Sequence, residues 1–296
     1  MQLLGWPSSI PKGAAKAWQS TRPKPPEFRR RALNAARAPG LYCAGTAMFR
    51  DLVDDLDNYS AEPGKFLDVP FVPTDGNVVE AMLTLAGVGP QDVLYDLGSG
   101  DGRIVVAAAK NYDTRGIGIE IDPLRIADAM EYAGDTRVEY LVDFIEDDIF
   151  TADIREATVV TLYLLDSINA QLRPRLLSEL RPGARIISHA FGMGDWKADD
   201  QCKVDGINIY KWIVPAPVAG AWEWAGLDGK RYRIDLQQKY QEVGGDAWVD
   251  DEAALLQSAT LCGATLELTI QGADAVAPKG FTLEFEDHEL QSVVEH

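Results

Sequence analysis

The sequence predicts an α/β protein in which a parallel sheet carries helices on both faces, followed by a smaller β-rich region. Three observations support this prediction. Short apolar strands alternate with helical patterns between residues 92 and 189, and a glycine-rich turn joins the first of these strands to a helix. Beyond residue 225, apolar and polar side chains alternate between glycine-rich turns, which is typical of antiparallel strands.

The composition is that of a globular protein with an uneven distribution of charge. Of the 296 residues, 46% are hydrophobic and 25% are charged, and the formal net charge is −18. Residues 1–50 carry nine Lys or Arg side chains and one acid, whereas the other 246 carry 19 basic and 45 acidic groups, a net of −26. An acidic body disfavours nonspecific binding to nucleic acid and attracts basic substrates, although the same charge also serves solubility.

Three segments are expected along the chain. Residues 1–64 form a basic, Pro/Arg-rich arm that is partly disordered, residues 65–224 contain the parallel sheet, and residues 225–296 form the β-rich region. The basic, acid-poor arm is also compatible with an organelle transit peptide. We expect a cytoplasmic protein, with organelle targeting through this arm as the alternative. The sequence does not indicate the oligomeric state.

Neither membrane insertion nor a disulfide framework is expected. No apolar run approaches the ~20 residues of a transmembrane helix. Pro7 interrupts the apolar start before a secretory signal develops. The three cysteines are widely spaced and form no C-x-x-C pair, which disfavours both a disulfide framework and a zinc site: Cys43, Cys202 and Cys262.

The elements can be placed in order from their patterns. Two prolines fix an extended segment that ends at Thr74, and apolar residues at helical spacing follow it from Val78. Next come a strand at 93–97, a glycine turn and a helix. The later elements are strand 115–120, a helix opening at Pro123, strands 137–143 and 158–164, a helix at 167–180, strand 184–189, an antiparallel pair at 206–215 and 220–224, and the β-rich strands 230–236, 239–243 and 264–270.

The glycine turn indicates which class of ligand it binds. Its glycines follow a G-x-G-x-G pattern at Gly98, Gly100 and Gly102, whereas a dinucleotide site has G-x-G-x-x-G. The acid before the turn, Asp96, repels a pyrophosphate but suits a cationic ammonium such as that of S-adenosylmethionine. Glu120 ends the next strand at the distance expected of an acid that binds ribose hydroxyls. Both nucleotide classes use such an acid, so Glu120 supports the fold only, whereas Asp96 and the glycine spacing disfavour a nicotinamide dehydrogenase.

These residues resemble a known family. Asp96-Leu-Gly-Ser-Gly-Asp-Gly-Arg103 with Gly118-Ile-Glu120 looks like the first two motifs of the Rossmann-like, seven-stranded S-adenosylmethionine-dependent methyltransferases. More narrowly, three further segments resemble the lysine methyltransferases that modify the ATP-synthase c subunit and the adenine nucleotide translocase, together with their bacterial relatives: Pro70–Thr74, Val160–Leu165 and Arg185–His189. The resemblance covers roughly residues 66–215.

The resemblance implies a set of cofactor-binding residues. Asp96 and the amides of the glycine loop, which contains Asp101, would hold the methionine moiety, and Glu120 the ribose. Asp148 aligns with the family acid that binds the adenine amino group, although Asp147 stands where the family usually has glycine. Thr74 borders the cofactor in that family.

The acceptor side is implied by the ends of two later strands. Tyr163 lies within the segment Leu162-Tyr163-Leu164-Leu165 and Asn169 follows it, where nucleotide-directed relatives carry Asp/Asn-Pro-Pro-aromatic. Asp166 stands where the lysine-type relatives have proline. His189 ends the next strand and is a candidate proton acceptor, although a lone His there is more often structural.

The sequence therefore predicts a methyltransferase that uses S-adenosylmethionine to methylate a protein lysine. Tyr163, Asn169 and His189 would orient the acceptor or receive its proton, without a metal. Two alternatives stay open: methylation of a small molecule, and a cofactor-binding subunit without catalysis. The expected partner is a lysine-bearing protein or a small molecule, and not a nucleic acid.

Overall fold

The computed structural model describes residues 71–273, 275 and 277–296, so the predicted arm at 1–64 lies outside the described residues. The helices are α1 (Gly76–Ala86), α2 (Arg103–Tyr112), α3 (Pro123–Thr136) and α4 (Asp166–Glu179). The strands are β1 (Val93–Leu97), β2 (Arg115–Glu120), β3 (Val142–Glu146), β4 (Val159–Leu162), β5 (Arg185–His189), β6 (Asp200–Val204), β7 (Ile207–Ile213), β8 (Gly220–Ala225), β9 (Arg231–Lys239), β10 (Glu242–Val249), β11 (Glu252–Cys262), β12 (Thr265–Gln271), β13 (Lys279–Glu286) and β14 (Glu289–Glu295).

The first sheet contains seven strands in the order β3-β2-β1-β4-β5-β7-β6. Strands β1 to β5 pair in parallel, and β7 joins antiparallel to β5. Helix α4 packs on one face through Leu172 and Leu176. Helices α1 and α2 pack on the other through residues such as Met82 and Val105. The predicted α/β sheet with helices on both faces is confirmed.

The strand order reverses between β1 and β4, which lie side by side although β2 and β3 come between them in the chain. In parallel sheets of this kind a crevice opens at the carboxyl ends of the strands where the order reverses, and ligands bind there. The glycine turn after β1 therefore opens onto this crevice.

Several boundaries agree with the sequence prediction. Strand β2 spans the predicted residues, and α3 begins at Pro123, where the side chain of Asp122 accepts a hydrogen bond from Leu124 N at 2.9 Å. This is a side-chain cap of the first turn, and a proline fits the first helical position because its missing N–H would have no partner there.

Two predictions about the first sheet were wrong. The third strand starts at Val142 and not at residue 137, because Arg137 ends α3 in a left-handed conformation and a turn follows. The strand that completes the sheet is β6, and not the segment 220–224. Strand β6 is an edge strand with no fully buried side chain, so it lacks the apolar alternation that would reveal it.

The second sheet is a seven-stranded antiparallel meander from β8 to β14. Its core contains the aromatic side chains of Trp224, Tyr232, Phe281 and Phe285. The predicted β-rich C-terminal region is confirmed, but only three of its strands were expected. Strands β11, β13 and β14 were missed. Most side chains of β11 and β14 are exposed or half-buried, so their alternation is weak.

Within the described residues, no helix combines the length and the apolar character that a membrane crossing requires.

Leu162→Ala tests the core of the first sheet. Leu162 has no exposed surface, so its truncation should lower the free energy of unfolding by ~2–5 kcal/mol, as is usual for buried leucines. The same substitution at Leu227, which is 88% exposed, should change it by less than ~0.5 kcal/mol. Urea denaturation of both variants measures the difference, and equal losses would contradict the assigned core.

Candidate active site

The glycine turn after β1 has a backbone that only glycine adopts readily. Gly98, Gly100 and Gly102 have φ values of 81°, 53° and 74°, all in the left-handed region. A Cβ on Gly102 would come within 2.6 Å of the Phe144 ring, and a Cβ on Gly100 would collide with the Phe71 ring. The three glycines therefore let the loop turn sharply and stay closely covered.

Asp96 is a buried carboxylate at the end of β1. It is 3% exposed, and its Oδ1 accepts a hydrogen bond from Thr161 Oγ1 at 2.7 Å. Thr161 lies directly opposite Asp96 on β4, so the strand register creates this contact. Burial is the main cause that raises the pKa of Asp96 to about 7; the neighbouring charges of Glu120 and Asp101 contribute to this rise, and the Thr161 bond opposes it. Such a carboxyl is ready to pair with a cation.

Glu120 ties the glycine loop to the end of β2. Its Oε2 accepts a hydrogen bond from Gly100 N at 2.8 Å, and its Oε1 accepts bonds from Ile121 N at 2.9 Å and Asp122 N at 3.0 Å. The carboxylate is thus held in one orientation. A carboxylate oxygen has further lone-pair capacity, so this group can also accept hydrogen bonds from ligand hydroxyls.

Asp101 and Thr74 connect the loop to the segment that precedes α1. Asp101 accepts two hydrogen bonds from the Arg103 guanidinium, from Nε at 2.9 Å and from a terminal nitrogen at 2.6 Å. The other terminal nitrogen of Arg103 donates to Thr74 O at 2.6 Å. The Arg125 guanidinium lies 4.4 Å from the Phe71 ring centroid, so the covering segment is held from two sides.

Asp148 lies at the same edge of the sheet, beyond the end of β3. Its side chain is exposed, and its Oδ1 accepts a hydrogen bond from Phe150 N at 2.8 Å. Asp147 N donates to Glu120 O at 3.1 Å, so the start of this loop is attached to the end of β2. Asp147, in the place of the usual family glycine, also accepts from Asp148 N through its side chain at 2.7 Å.

Tyr163 and His189 form a stacked pair beyond β4 and at the end of β5. Their ring centroids are 3.7 Å apart with an interplanar angle of 23°. His189 Nδ1 lies 3.2 Å from Thr74 Oγ1, so the imidazole is held from the α1 side as well. Burial lowers the pKa of His189 to about 4 and raises that of Tyr163. Both rings are therefore uncharged at neutral pH.

Asn169 is fully buried on α4 and bound through one side of its amide. Its Nδ2 donates to Ser188 Oγ at 3.2 Å and to Gly192 O at 3.1 Å. Because Nδ2 faces carbonyl oxygen, the orientation of the amide is fixed. Among the described residues, its buried Oδ1 has no hydrogen-bond partner, which leaves an acceptor for a ligand or a water.

The structure thus brings the sequence-predicted residues to one edge of the sheet in two groups. Asp96, Glu120 and Asp148 follow β1, β2 and β3, and the acceptor candidates follow β4 and β5. Sequence reasoning missed Thr161 and Ser188, since only the pairing of neighbouring strands places them beside Asp96 and Asn169.

Comparison with known proteins identifies the family. A family model described as "ANTKMT methyltransferase domain" matches residues 96–200. A protein-lysine N-methyltransferase of Saccharolobus islandicus (strain REY15A) is 41% identical over 142 residues, which cover 48% of this chain and 88% of that protein. The chain belongs to this family of methyltransferases. The resemblance stated from its motifs is confirmed.

Two further relatives are matched over very different shares of their own length. The adenine nucleotide translocase lysine N-methyltransferase of Mus musculus is 32% identical over 131 residues, 44% of this chain and 57% of the mouse protein. A crystal structure of an RNA methyltransferase from Salinibacter ruber, in complex with S-adenosyl-L-homocysteine, is 51% identical with a TM-score of 0.49. It covers 50% of this chain and 96% of the other. This methyltransferase thus spans little more than half of the mouse enzyme.

Asp96→Asn should stabilise the ligand-free protein at alkaline pH. The pKa of Asp96 is raised on folding from 3.8 to about 7, so its contribution to stability is fully present below pH 3.8 and is lost as pH rises through 7. Asparagine does not ionise, so the variant does not lose this stability at high pH. In the wild type the loss in the free energy of unfolding is at most ~4 kcal/mol, at ~1.4 kcal/mol per pKa unit.

Chemical denaturation at pH 5 and pH 8 measures this effect. The variant should exceed wild type at pH 8 and approach it at pH 5, whereas Asp148→Asn, at an exposed carboxylate, serves as the control. A gain that is equal at both pH values would contradict the ionisation of Asp96 as its cause.

Proposed function

We propose that this methyltransferase transfers a methyl group from S-adenosylmethionine to lysine side chains of a protein. The observation that carries the proposal is a buried carboxylate, Asp96, with an elevated pKa of about 7, beside a glycine loop and at the same edge of the sheet as the stacked rings of Tyr163 and His189. The carboxylate suits the ammonium of the cofactor, and the aromatic pair suits an uncharged acceptor. The names of the archaeal and mouse relatives support lysine as the acceptor.

The cofactor side would be held by groups that the structure already fixes. Asp96 binds the ammonium of the methionine moiety and is ionised by it, since a nearby cation lowers the pKa of a carboxyl. Glu120 accepts hydrogen bonds from the ribose hydroxyls, and Asp148 from the adenine amino group. When bound, S-adenosylmethionine supplies a methyl group already activated on a sulfonium.

The acceptor side would align a neutral amine and exclude water. Burial of a lysine side chain lowers its pKa and so favours the unprotonated, nucleophilic amine. The neutral Tyr163 and His189 rings line this place, and Asn169 Oδ1 accepts an N–H of the amine and so directs its lone pair. With a pKa of about 4, His189 holds a proton weakly, so it serves shape and orientation more than proton transfer.

We also propose that the protein acts in the cytoplasm. Both cysteines that the structure describes, Cys202 and Cys262, are free thiols, which suits a reducing compartment.

S-adenosylmethionine affinity should depend on pH through Asp96. Because the cofactor binds the ionised carboxyl, whose pKa is about 7 without ligand, ionisation of Asp96 alone would make the affinity fall about eightfold from pH 7.5 to pH 6. An α-amino group with a pKa of ~7.7–8.0 is itself partly deprotonated at pH 7.5, so the expected fall is about five- to sixfold. Calorimetry measures the affinity at both pH values. The Asp96→Asn variant should bind S-adenosylmethionine more weakly, with an affinity that does not change through Asp96 over this range.

The protein should bind NAD poorly. Tighter binding of NAD than of S-adenosylmethionine would remove the cofactor assignment.

The acceptor is identified by transfer of labelled methyl groups into a cell lysate that is separated into protein, RNA and small-molecule fractions. Label should enter protein, and mass spectrometry should locate the added methyl groups on lysines. Label in RNA or in small molecules alone would replace the lysine acceptor with that class. Cofactor binding without transfer to any fraction would favour a non-catalytic subunit.

Asn169→Ala and Tyr163→Phe should lower turnover about 10- to 100-fold, the scale of a misplaced acceptor, while leaving cofactor affinity unchanged. Asn208→Ala is the matched control, since the exposed side-chain amide of Asn208 bonds only to Tyr210 among the described residues.

The wild-type rate of methyl transfer should rise with pH toward the lysine reference pKa of ~10.4. A rate that is independent of pH with saturating cofactor would contradict an amine acceptor.

A further inference from the structure

The segment that follows β5 contacts the proposed acceptor site near its start, at Gly192. We call residues 190–196 the site loop. Gly192 N donates to Asp166 Oδ1 at 2.7 Å, and Gly192 O accepts from Asn169 Nδ2 at 3.1 Å. Gly192 therefore fixes the amide of Asn169 together with Ser188, and a displacement of the site loop would remove one of these two hydrogen bonds.

The other end of the site loop is clamped by the turn between β9 and β10 of the second sheet. The Tyr240 ring stacks on Trp196 with centroids 5.7 Å apart and an angle of 26°, and its hydroxyl donates to Asp195 Oδ1 at 3.0 Å. Gln241 accepts from Trp196 Nε1 at 2.8 Å and donates to Lys197 O at 2.8 Å. Trp196 is 1% exposed, so these contacts hold a buried anchor.

Arg173 joins this clamp to the helix that carries Asn169. One terminal nitrogen of its guanidinium donates to Met193 O at 2.7 Å and to Asp195 Oδ1 at 2.6 Å. The guanidinium also lies 5.3 Å from the centroid of the Tyr240 ring. Helix α4, the site loop and the β9–β10 turn are therefore bound to one another in a closed set of contacts.

The backbone of Tyr240 indicates that its side chain matters. Its φ of 56° lies in the left-handed region, where a hairpin turn ordinarily has Gly, Asn or Asp. A tyrosine there is unfavourable for the turn itself. Its ring packs against the core of the first sheet, although the residue belongs to the second. Contacts with the site loop explain a tyrosine at this position where the turn alone does not.

We propose that Tyr240 is a positioning residue for methyl transfer, which holds the site loop so that Gly192 keeps Asn169 aligned with the acceptor amine. The second sheet thereby acts on the reaction through one turn, without touching substrate or cofactor. This inference rests on the proposed function, and it assigns a role to Tyr240, which lies beyond the match to the family model that ends at residue 200.

Two variants distinguish the contacts of the Tyr240 side chain from the folding of the turn itself. Tyr240→Gly removes every side-chain contact but suits the left-handed backbone, so the hairpin should form as well as before. Tyr240→Phe keeps the stack on Trp196 and removes only the bond to Asp195. His288→Gly is the matched control, because His288 is exposed, has a φ of 64° and occupies the turn between β13 and β14 of the same sheet.

Amide hydrogen exchange of the full chain tests the clamp without any assay of activity. Exchange at Gly192 should become at least about tenfold faster in Tyr240→Gly, because local opening of the loop becomes easier. It should stay at the wild-type rate in His288→Gly. Equal exchange at Gly192 in these two variants would overturn the proposal.

Kinetics then test the positioning of Asn169. With saturating cofactor, kcat should fall about fivefold in Tyr240→Gly, the scale of coupling through a contact network, while S-adenosylmethionine affinity is unchanged. Tyr240→Phe should retain most of the rate. Tyr240→Gly should add little to Asn169→Ala, because both act through one amide.

Two results are distinguishable failures. A wild-type protein that transfers methyl groups, with a Tyr240→Gly variant as fast as His288→Gly, would overturn the positioning role and leave the proposed function intact. A wild-type protein that binds cofactor and methylates no fraction would overturn the proposed function, and the exchange rate of Gly192 would still decide whether Tyr240 holds the site loop.

Discussion

The structure of the site depends on one buried carboxylate. Asp96 stands at the point where the strand order reverses, accepts a hydrogen bond from Thr161 and lies near two further acids, Glu120 and Asp101. When it is ionised and has no cation beside it, it destabilises the protein. In the proposed function a cationic ligand would relieve that cost, so the group that weakens the ligand-free fold would also favour an ammonium over a pyrophosphate. The carboxylate of Glu120 fixes the glycine loop next to Asp96, because it accepts a hydrogen bond from Gly100 N.

The two halves of the site differ in how they are organised. On the cofactor side, acids and backbone amides end three adjacent parallel strands, so the sheet itself sets their spacing. On the proposed acceptor side, His189 and Asn169 are also held from outside the sheet, through Thr74 and Gly192. Under the proposed function, altering these outer contacts would change the acceptor side while the cofactor groups stay in place.

Much of the fold and most of the candidate residues were predictable from the sequence, because they follow local rules. Buried parallel strands are apolar runs, the start of α3 has its proline, and site residues come directly after such runs. Strand β6 was missed because an edge strand shows no clear alternation. The stacking of Tyr163 on His189 and the bond from Thr161 to Asp96 arise only when strands distant in the chain become neighbours. No local pattern reports them.

The two sheets differ in the sequence separation between the strands that pair. Asp96 and Thr161, on paired strands of the first sheet, are separated by 65 residues, whereas each strand of the meander pairs only with the strands before and after it. Closing short loops costs less chain entropy, and proteins rich in local contacts fold faster. The meander follows the first sheet in the chain but has the lower contact order, so its pairing needs only short loops to close. The first sheet needs β6 and β7, the last of its strands in the chain, before its order is complete.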